Sequence, residues 1–353
     1  MSSIYGKNIQ ISIFGESHGD MLGVTLNGVK PGVKLDLDFI KNEIERRKPI
    51  DGLSTPRKEA DEFKIVSGFF NGYTTGAPLT IVSFNNNTIS RNYDKEIMRP
   101  SHADYTANVK YKGYQDYRGG GHFSGRITLL IVIAGAICKE ILNTYGVIIK
   151  SHIKNIGNVY DDVISDYNDY DNSKLTVSDG KLQLMKNVIL KTKDNQDSVG
   201  GSIEVCAYNI PVGLGNPFFD SAESILSHLF FSIPAVKGVE FGLGCEFSKS
   251  YGSLVNDSFY TYNNEVKTKT NNNGGINGGI TNGMPIVSTV YFKPTPSISK
   301  SQETVNIEKM ENVVYSVNGR HDPCITIRAR VVVEAMMAIG ILDMLMDSEA
   351  YYD

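Results

Sequence analysis

The chain reads as an α+β fold whose core uses one β-α plan twice. Three features predict this. Short stretches alternate apolar and polar residues at the strand period of two, as in "NIQISIF" at 8–14. Two long apolar stretches, 127–142 and "RVVVEAMMAIGILDMLM", read as buried helices. From residue 200, "GGSIEVCAYNIPVGLG" echoes "LGVTLNGVKPGV", so that Val24, Val29, Gly32 and Val33 meet Val205, Ile210, Gly213 and Leu214 at one constant offset. A helix is predicted after each copy. The expected halves are about 1–150 and 195–346, within one domain spanning 1–353.

The first strand, 8–14, ends in "GESHG", where Gly15 and Gly19 permit a tight turn that projects Glu16, Ser17 and His18. "GVTLNGVKPG" follows as strand and turn. "DLDFIKNEIERR" reads as a helix with Phe39, Ile40 and Ile44 on one face and Pro49 stopping it. Its last turn holds Arg46 and Arg47, where the helix dipole tolerates cations. Two strands are expected within 63–85, around "NGYTTGAP". "DYRGGGHFSGR" then leads into the buried helix at 127–142. The polar stretch at about 160–195 is expected to be a surface excursion with a short helix. "NNNGGINGGITNGMPIVSTVYFKPTPS" reads as loop, strand and turn. The last helix is expected to be broken at Glu334 and Asp343.

Composition excludes several classes. Of 353 residues 41% are apolar, enough for a substantial core, and the net charge of −4 argues against a nucleic-acid footprint. Cations are concentrated locally instead, at Arg46 to Lys58 and at Arg99, Arg118 and Arg126, which points to a small anionic ligand. Cys138, Cys206, Cys245 and Cys324 form no CxxC pair and read as reduced thiols. The longest apolar run, Leu129 to Cys138, is about half the ~20 residues of a membrane span. The N-terminus shows no signal-peptide core, so a cytoplasmic location without membrane or nucleic-acid partners is expected.

The glycine-rich loop brings backbone N–H groups and a helix N-terminus close to a ligand, with Arg118 and Arg126 able to grip phosphate or carboxylate. It is neither a P-loop nor a dinucleotide fingerprint. His18 on its glycine-flanked turn, and Arg99, His102 and Asp104 in "RPSHADYT", suit an anion whose leaving oxygen is protonated. "GRHDPC" sets Arg320, His321 and Asp322 on one turn without metal-ligand spacing. Asp343 reads either as a salt-bridged core carboxylate or as a poised base in a cleft. Each motif also has a plain structural reading: a tight turn, a core histidine, a cap. Spacing alone reaches an enzyme with histidine acids acting on a multiply anionic small molecule. It reveals no flavin.

Together the stretches resemble the chorismate synthase family: "FGESHG", "RPSHADYT", "DYRGGGHFSGR", "NNNGGINGGITNGMPI", "FKPTPSI" and "GRHDPCITIRA" stand in the family's order from about residue 5 to 346. The resemblance implies a sheet–helix–sheet sandwich of duplicated β-α units, typically a homotetramer. It implies anti-1,4-elimination of phosphate from 5-enolpyruvylshikimate 3-phosphate to chorismate, the last shikimate-pathway step, with reduced FMN and no net redox change. His18 and His102 match the two histidine acids, the first for phosphate and the second for flavin. Ser17, Ser124 and Asp343 match the proton relay. His122, Phe123, Ser124, Pro234, Ala235, Gly278, Lys293, Pro294, Thr295, Pro296, Ser297 and Arg320 match flavin contacts. Arg47, Arg57, Arg99, Arg126 and Arg328 match the groups that hold the trianionic substrate.

Two departures bear on these expectations. Leu53 stands where many bacterial members carry an arginine contacting a nucleotide, so an NADPH contact rests on Arg47 alone. His122-Phe123 replaces the common Arg-Ser. The long insertions of some fungal and protozoan members are missing, so a monofunctional enzyme served by a separate flavin reductase is expected. A flavin-dependent NAD(P)H oxidoreductase and a non-catalytic anion- or flavin-binding protein are the alternatives.

Overall fold

The computed structural model describes residues 3–50, 52–54, 60–86, 94–164, 167, 169–317 and 322–352. Strands β1 (Ile4–Tyr5), β2 (Gln10–Gly15), β3 (Met21–Asn27), β4 (Lys64–Ser67) and β5 (Leu79–Phe84) form one antiparallel sheet in the order β1-β2-β3-β5-β4. Strands β6 (Ile148–Ile156), β7 (Val159–Tyr160), β8 (Gly201–Tyr208), β9 (Val236–Phe241) and β10 (Ile286–Phe292) form a second, in the order β9-β10-β8-β6-β7. Helices α1 (Leu37–Arg47), α3 (Thr128–Thr144), α5 (Ala222–Phe231) and α6 (Thr326–Tyr352) lie between them; α2 (Asp104–Lys110) and α4 (Asp179–Asp194) lie outside this layer.

The layering follows from where apolar area can be hidden. Helix α3 packs along α6 and touches β3, while α6 touches β6 and β8. Leu129 to Cys138 are all buried, each leucine or isoleucine contributing roughly 1.5–3 kcal/mol relative to exposure. By length and apolarity Gly125–Thr144 would suit a membrane span; here it fills the core. The two helices approach closely because position 135 has no side chain: a β-carbon there would stand 2.2 Å from that of Ala335. Asp36 caps α1, accepting from the N–H groups of Asp38 and Phe39.

The internal duplication extends to single hydrogen bonds. Thr74 accepts through its carbonyl from Gly32 N–H (2.8 Å) and through its hydroxyl from Val33 N–H (3.0 Å), and the hydroxyl donates to Lys30 O (2.7 Å). Thr281 repeats this with Gly213 (3.0 Å), Leu214 (2.9 Å) and Pro211 (2.7 Å). Register agrees as well: Leu26 faces Leu79 in the first sheet, and Ala207 faces Ile286 in the second. Each threonine is buried and satisfies backbone groups that water cannot reach.

Two expectations fail. Helix α6 runs unbroken from Thr326 to Tyr352 because both of its core carboxylates are compensated. Glu334 accepts from both Nη atoms of Arg46 (2.6 and 2.7 Å), from Lys139 Nζ (2.5 Å) and from Ser151 Oγ (2.5 Å). Burial acts to raise its carboxyl, and Lys139 and Arg46 outweigh that, holding it well below the ordinary value. Asp343 is compensated by backbone, as described below. The helix of the polar excursion, α4, is a 16-residue element rather than a short one.

Candidate active site

The turn after β2, the loop before α2, the glycine-rich loop before α3, the start of β9, the turn after β10 and the start of α6 surround one cleft of about 1660 Å³. His18, His102 and Arg126 all line it, joined by Arg47, Arg99 and Arg328. A typical small-molecule pocket is ~300–1,000 Å³, so this one has room for two ligands side by side.

The three consecutive glycines bring the histidines close. Gly119, Gly120 and Gly121 have φ of +61°, +83° and +54°, the left-handed region that side chains disfavour. A β-carbon on Gly119 would lie 2.2 Å from His18 Cε1 and Nδ1 and 2.9 Å from Ser17 Oγ. One on Gly120 would lie 3.4 Å from His102 Cε1 and 3.5 Å from its Nε2. The loop is thus seated between two imidazoles, and Ser17 N–H donates to Gly121 O at 3.1 Å beneath it.

His102 Nδ1 is 2.6 Å from Asp104 Oδ1. A carboxylate only accepts, so Nδ1 carries hydrogen and Nε2 is presented beside Gly120. Arg99 holds Asp104 through Nε and Nη2, both at 2.7 Å. Burial acts to raise the Asp104 carboxyl; hydrogen bonds from His102 and Arg99 outweigh it and hold it well below the carboxylate range. His122 donates through Nδ1 to Gly15 O (2.8 Å), and its Nε2 is hydrogen-bonded to Ser3 Oγ (2.9 Å). Phe123, partly exposed, faces Tyr111 with ring centroids 6.1 Å apart and gives the cleft an aromatic wall.

The cationic wall is organised by a residue absent from the sequence reading. Asp61 is buried, its Oδ2 accepting from Arg47 Nη2 (2.7 Å) and its Oδ1 from Arg126 Nη1. Burial acts to raise its carboxyl and the two guanidiniums overcome that, keeping it below the ordinary value. Burial, with Arg328 and Arg126 nearby, lowers Arg47 to about 10, still cationic at neutral pH. Among the described residues, Arg47 Nε and Arg126 Nη2 are buried without a hydrogen-bond partner. Buried guanidinium donors without partners are costly, and an anion in the cleft would satisfy them. Arg328 donates to Asp322 Oδ2 (3.0 Å) and to Arg47 O (3.1 Å).

Several expected residues also meet here: Ser124, Pro234, Ala235, Lys293, Thr295, Pro296 and Ser297 line the cleft. Lys293 Nζ donates to Ser101 O (2.6 Å), and burial followed by Lys237 lowers its ammonium. Gly278 and Pro294 do not line it, Gly278 standing in the turn between Ile276–Asn277 and Ile280–Thr281. Arg118 pairs with Asp116 instead (2.8 and 2.9 Å). Arg57, Arg320 and His321 lie outside the described residues. Leu53 is buried in an apolar cluster with Ile327 and Cys324.

Asp343 is buried on α6. Its carboxylate accepts from the backbone N–H groups of Lys7, Asn8 and Ile9 (2.7 to 3.2 Å) and stands away from the cleft wall. Three backbone donors satisfy it, and through them it anchors the chain entering β2. Asp322 is the α6-side carboxylate that does line the cleft. Its place beside Arg320 in "GRHDPC" was the signal available in sequence. Asp61 had none, for its partners lie 14 and 65 residues away.

A family model described as chorismate synthase matches residues 9–346. The chain is 45% identical to a protein named chorismate synthase from Thermococcus gammatolerans, over 98% of each chain. It is 45% identical to one from Pyrococcus abyssi over 97% of each, and 43% identical to one from Methanobrevibacter smithii over 97% of this chain and 96% of that one. A crystal structure titled as chorismate synthase superposes with a TM-score of 0.76 at 29% identity, covering 98% of this chain and 93% of that one.

Proposed function

Because this chain belongs to the chorismate synthase family, lyases that break a carbon–oxygen bond to phosphate, we propose that it converts 5-enolpyruvylshikimate 3-phosphate to chorismate by anti-1,4-elimination, closing the shikimate pathway. The observation that carries this reading is the meeting of two imidazoles with four arginines in one cleft, two of those arginines holding buried donors without partners. A substrate with one phosphate and two carboxylates calls for about this much countercharge.

The cleft also fits reduced FMN, since it has room beyond one small ligand, an aromatic wall at Phe123 and a side-chain-free loop. His122, Phe123, Ser124, Pro234, Ala235, Lys293 and the turn through Ser297 would hold it, with Arg320 added by resemblance. When bound, reduced flavin supplies transient electron donation and an acceptor for the C6 proton, with no net oxidation. The chain's residues do the rest. Arg47, Arg99, Arg126 and Arg328, with Arg57 by resemblance, hold and neutralise the anionic groups. His18 holds the proton that the departing phosphate oxygen takes as the C–O bond breaks. His102, its Nδ1 fixed on Asp104, carries the second proton at Nε2. Ser124, which lines the cleft, and Ser17, buried beside the same glycines, would relay a proton by resemblance.

Leu53 in its apolar cluster and Arg47 already held by Asp61 favour an enzyme that receives reduced flavin from a separate reductase rather than one that binds NADPH. The exposed aromatic hairpin Phe259–Tyr262 and Glu265–Thr268 supports association into the family's homotetramer. The deciding test is an anaerobic assay with dithionite-reduced FMN and 5-enolpyruvylshikimate 3-phosphate, read at chorismate's absorbance. Stoichiometric phosphate with flavin returned reduced is the expected result. Net flavin oxidation coupled to substrate would instead establish an oxidoreductase, and flavin binding without turnover a binding protein.

A further inference from the structure

Asn85, directly after β5, uses both ends of its side-chain amide. Its Oδ1 accepts from Arg126 Nε at 3.2 Å, and its Nδ2 donates to Glu16 O at 3.1 Å and to Gly19 O at 2.8 Å. The orientation is chemically determined: a guanidinium only donates and carbonyls only accept, so the flipped amide would oppose like groups on both sides. Its backbone N–H donates to Asp20 O at 3.0 Å, and Gly19 N–H closes the turn on Glu16 O at 3.1 Å. One side chain therefore clasps both ends of the turn that carries Ser17 and His18. Its other end holds the arginine whose Nη1 sits on Asp61 and whose Nη2 lacks a partner among the described residues.

We propose that Asn85 is a positioning residue that ties the His18 turn to the anion-binding guanidinium of Arg126, so that occupancy of the anion site firms the turn bearing the acid. This rests on the roles given above to His18 and Arg126. The chain of contacts is continuous: Arg47, Asp61, Arg126, Asn85, then the carbonyls on either side of His18. A displacement of about 1 Å at a reacting group costs on the order of 100-fold in rate, so a tie of this kind acts on turnover rather than on affinity.

The test is Asn85→Asp in the full-length, flavin-loaded enzyme. The substitution keeps an acceptor for Arg126 Nε but sets an oxygen against the two carbonyls. The expected result is a kcat lower by about 10- to 100-fold with KM within about threefold. Amide hydrogen exchange across residues 14–21 should quicken roughly tenfold, and the slowing produced by inorganic phosphate in wild type should disappear. Asn85→Ala, which removes both contacts, should lower kcat and also raise KM; it carries the same exchange test should Asn85→Asp not fold. Wild-type kcat with unchanged exchange in either variant overturns the proposal. A wild-type enzyme that makes no chorismate overturns the reaction assigned above instead, while the phosphate-dependent exchange still reports on the tie.

Discussion

Gly119 lies so close against His18 that a β-carbon there would meet Cε1 and Nδ1 of the imidazole at 2.2 Å. With φ at +61°, the position excludes side chains on conformational grounds as well. Gly119→Ala is expected to displace His18 and lower kcat by at least about tenfold. Gly32→Ala is the control, for its φ is +83° with no atom within 4 Å, so it carries backbone strain without the clash. Steady-state kinetics and melting of both variants separate the two effects. Equal kcat losses at matched stability would refute the contact's importance.

His18→Ala and His102→Ala should each lower kcat by about 10- to 1,000-fold, the range of general-acid catalysis. Full rate in both would mean that neither imidazole delivers a proton to the reaction.

Arg126→Ala removes a cleft-lining guanidinium with a buried, unpartnered donor and leaves Asp61 with Arg47 alone. KM for the substrate should rise more than kcat falls. A titration showing unaltered substrate affinity contradicts the anion-site assignment.

Glu334 is fully buried and compensates Arg46 and Lys139 at the seam of α1, α3 and α6. Glu334→Gln leaves Arg46 and Lys139 with Glu43 as their remaining counter-charge and is expected to cost about 1–3 kcal/mol. Denaturant unfolding measures it; a loss below about 1 kcal/mol would show that water reaches the cluster.

His152 contacts Asp161 (2.9 Å) and Glu204 (3.4 Å), pinning the polar excursion to β6 and β8. Burial acts to lower its imidazole, and the two carboxylates outweigh it, so it titrates above an ordinary histidine. The sign follows: a raised folded-state value gives stability that is complete below the unfolded value of ~6.5 and lost as pH climbs through the raised one. The melting temperature of wild type should therefore exceed that of His152→Gln most near pH 6, and the gap should narrow toward pH 9. A gap that widens with pH would show the imidazole to be neutral when buried.

Much of the fold was legible in local pattern. Alternation marked β2, and Phe39, Ile40 and Ile44 on one face marked α1, because strand and helix periods act over a few residues. The echo between Val24 to Val33 and Val205 to Leu214 was visible as well, and the glycine-rich loop with His18, His102 and Arg126 stood out as motifs. What such reading missed lies across long separations. Asp61 between Arg47 and Arg126, Asn85 between Arg126 and the His18 turn, and Thr74 and Thr281 as matched brackets are partnerships that exist once the sheets and helices have packed.

The sequence by itself determined the family the chain joins, the strand β2, the helices α1 and α3 and the motifs that meet in the cleft, because those signals are local in the chain. Tertiary structure alone decided what each ionisable side chain does. Asp343 and Asp61 are both buried aspartates, yet one is spent on three backbone N–H groups and the other sets the charge of the cleft. A carboxylate's role depends on the donors within about 3 Å of it, and those come from whichever elements packing brings alongside.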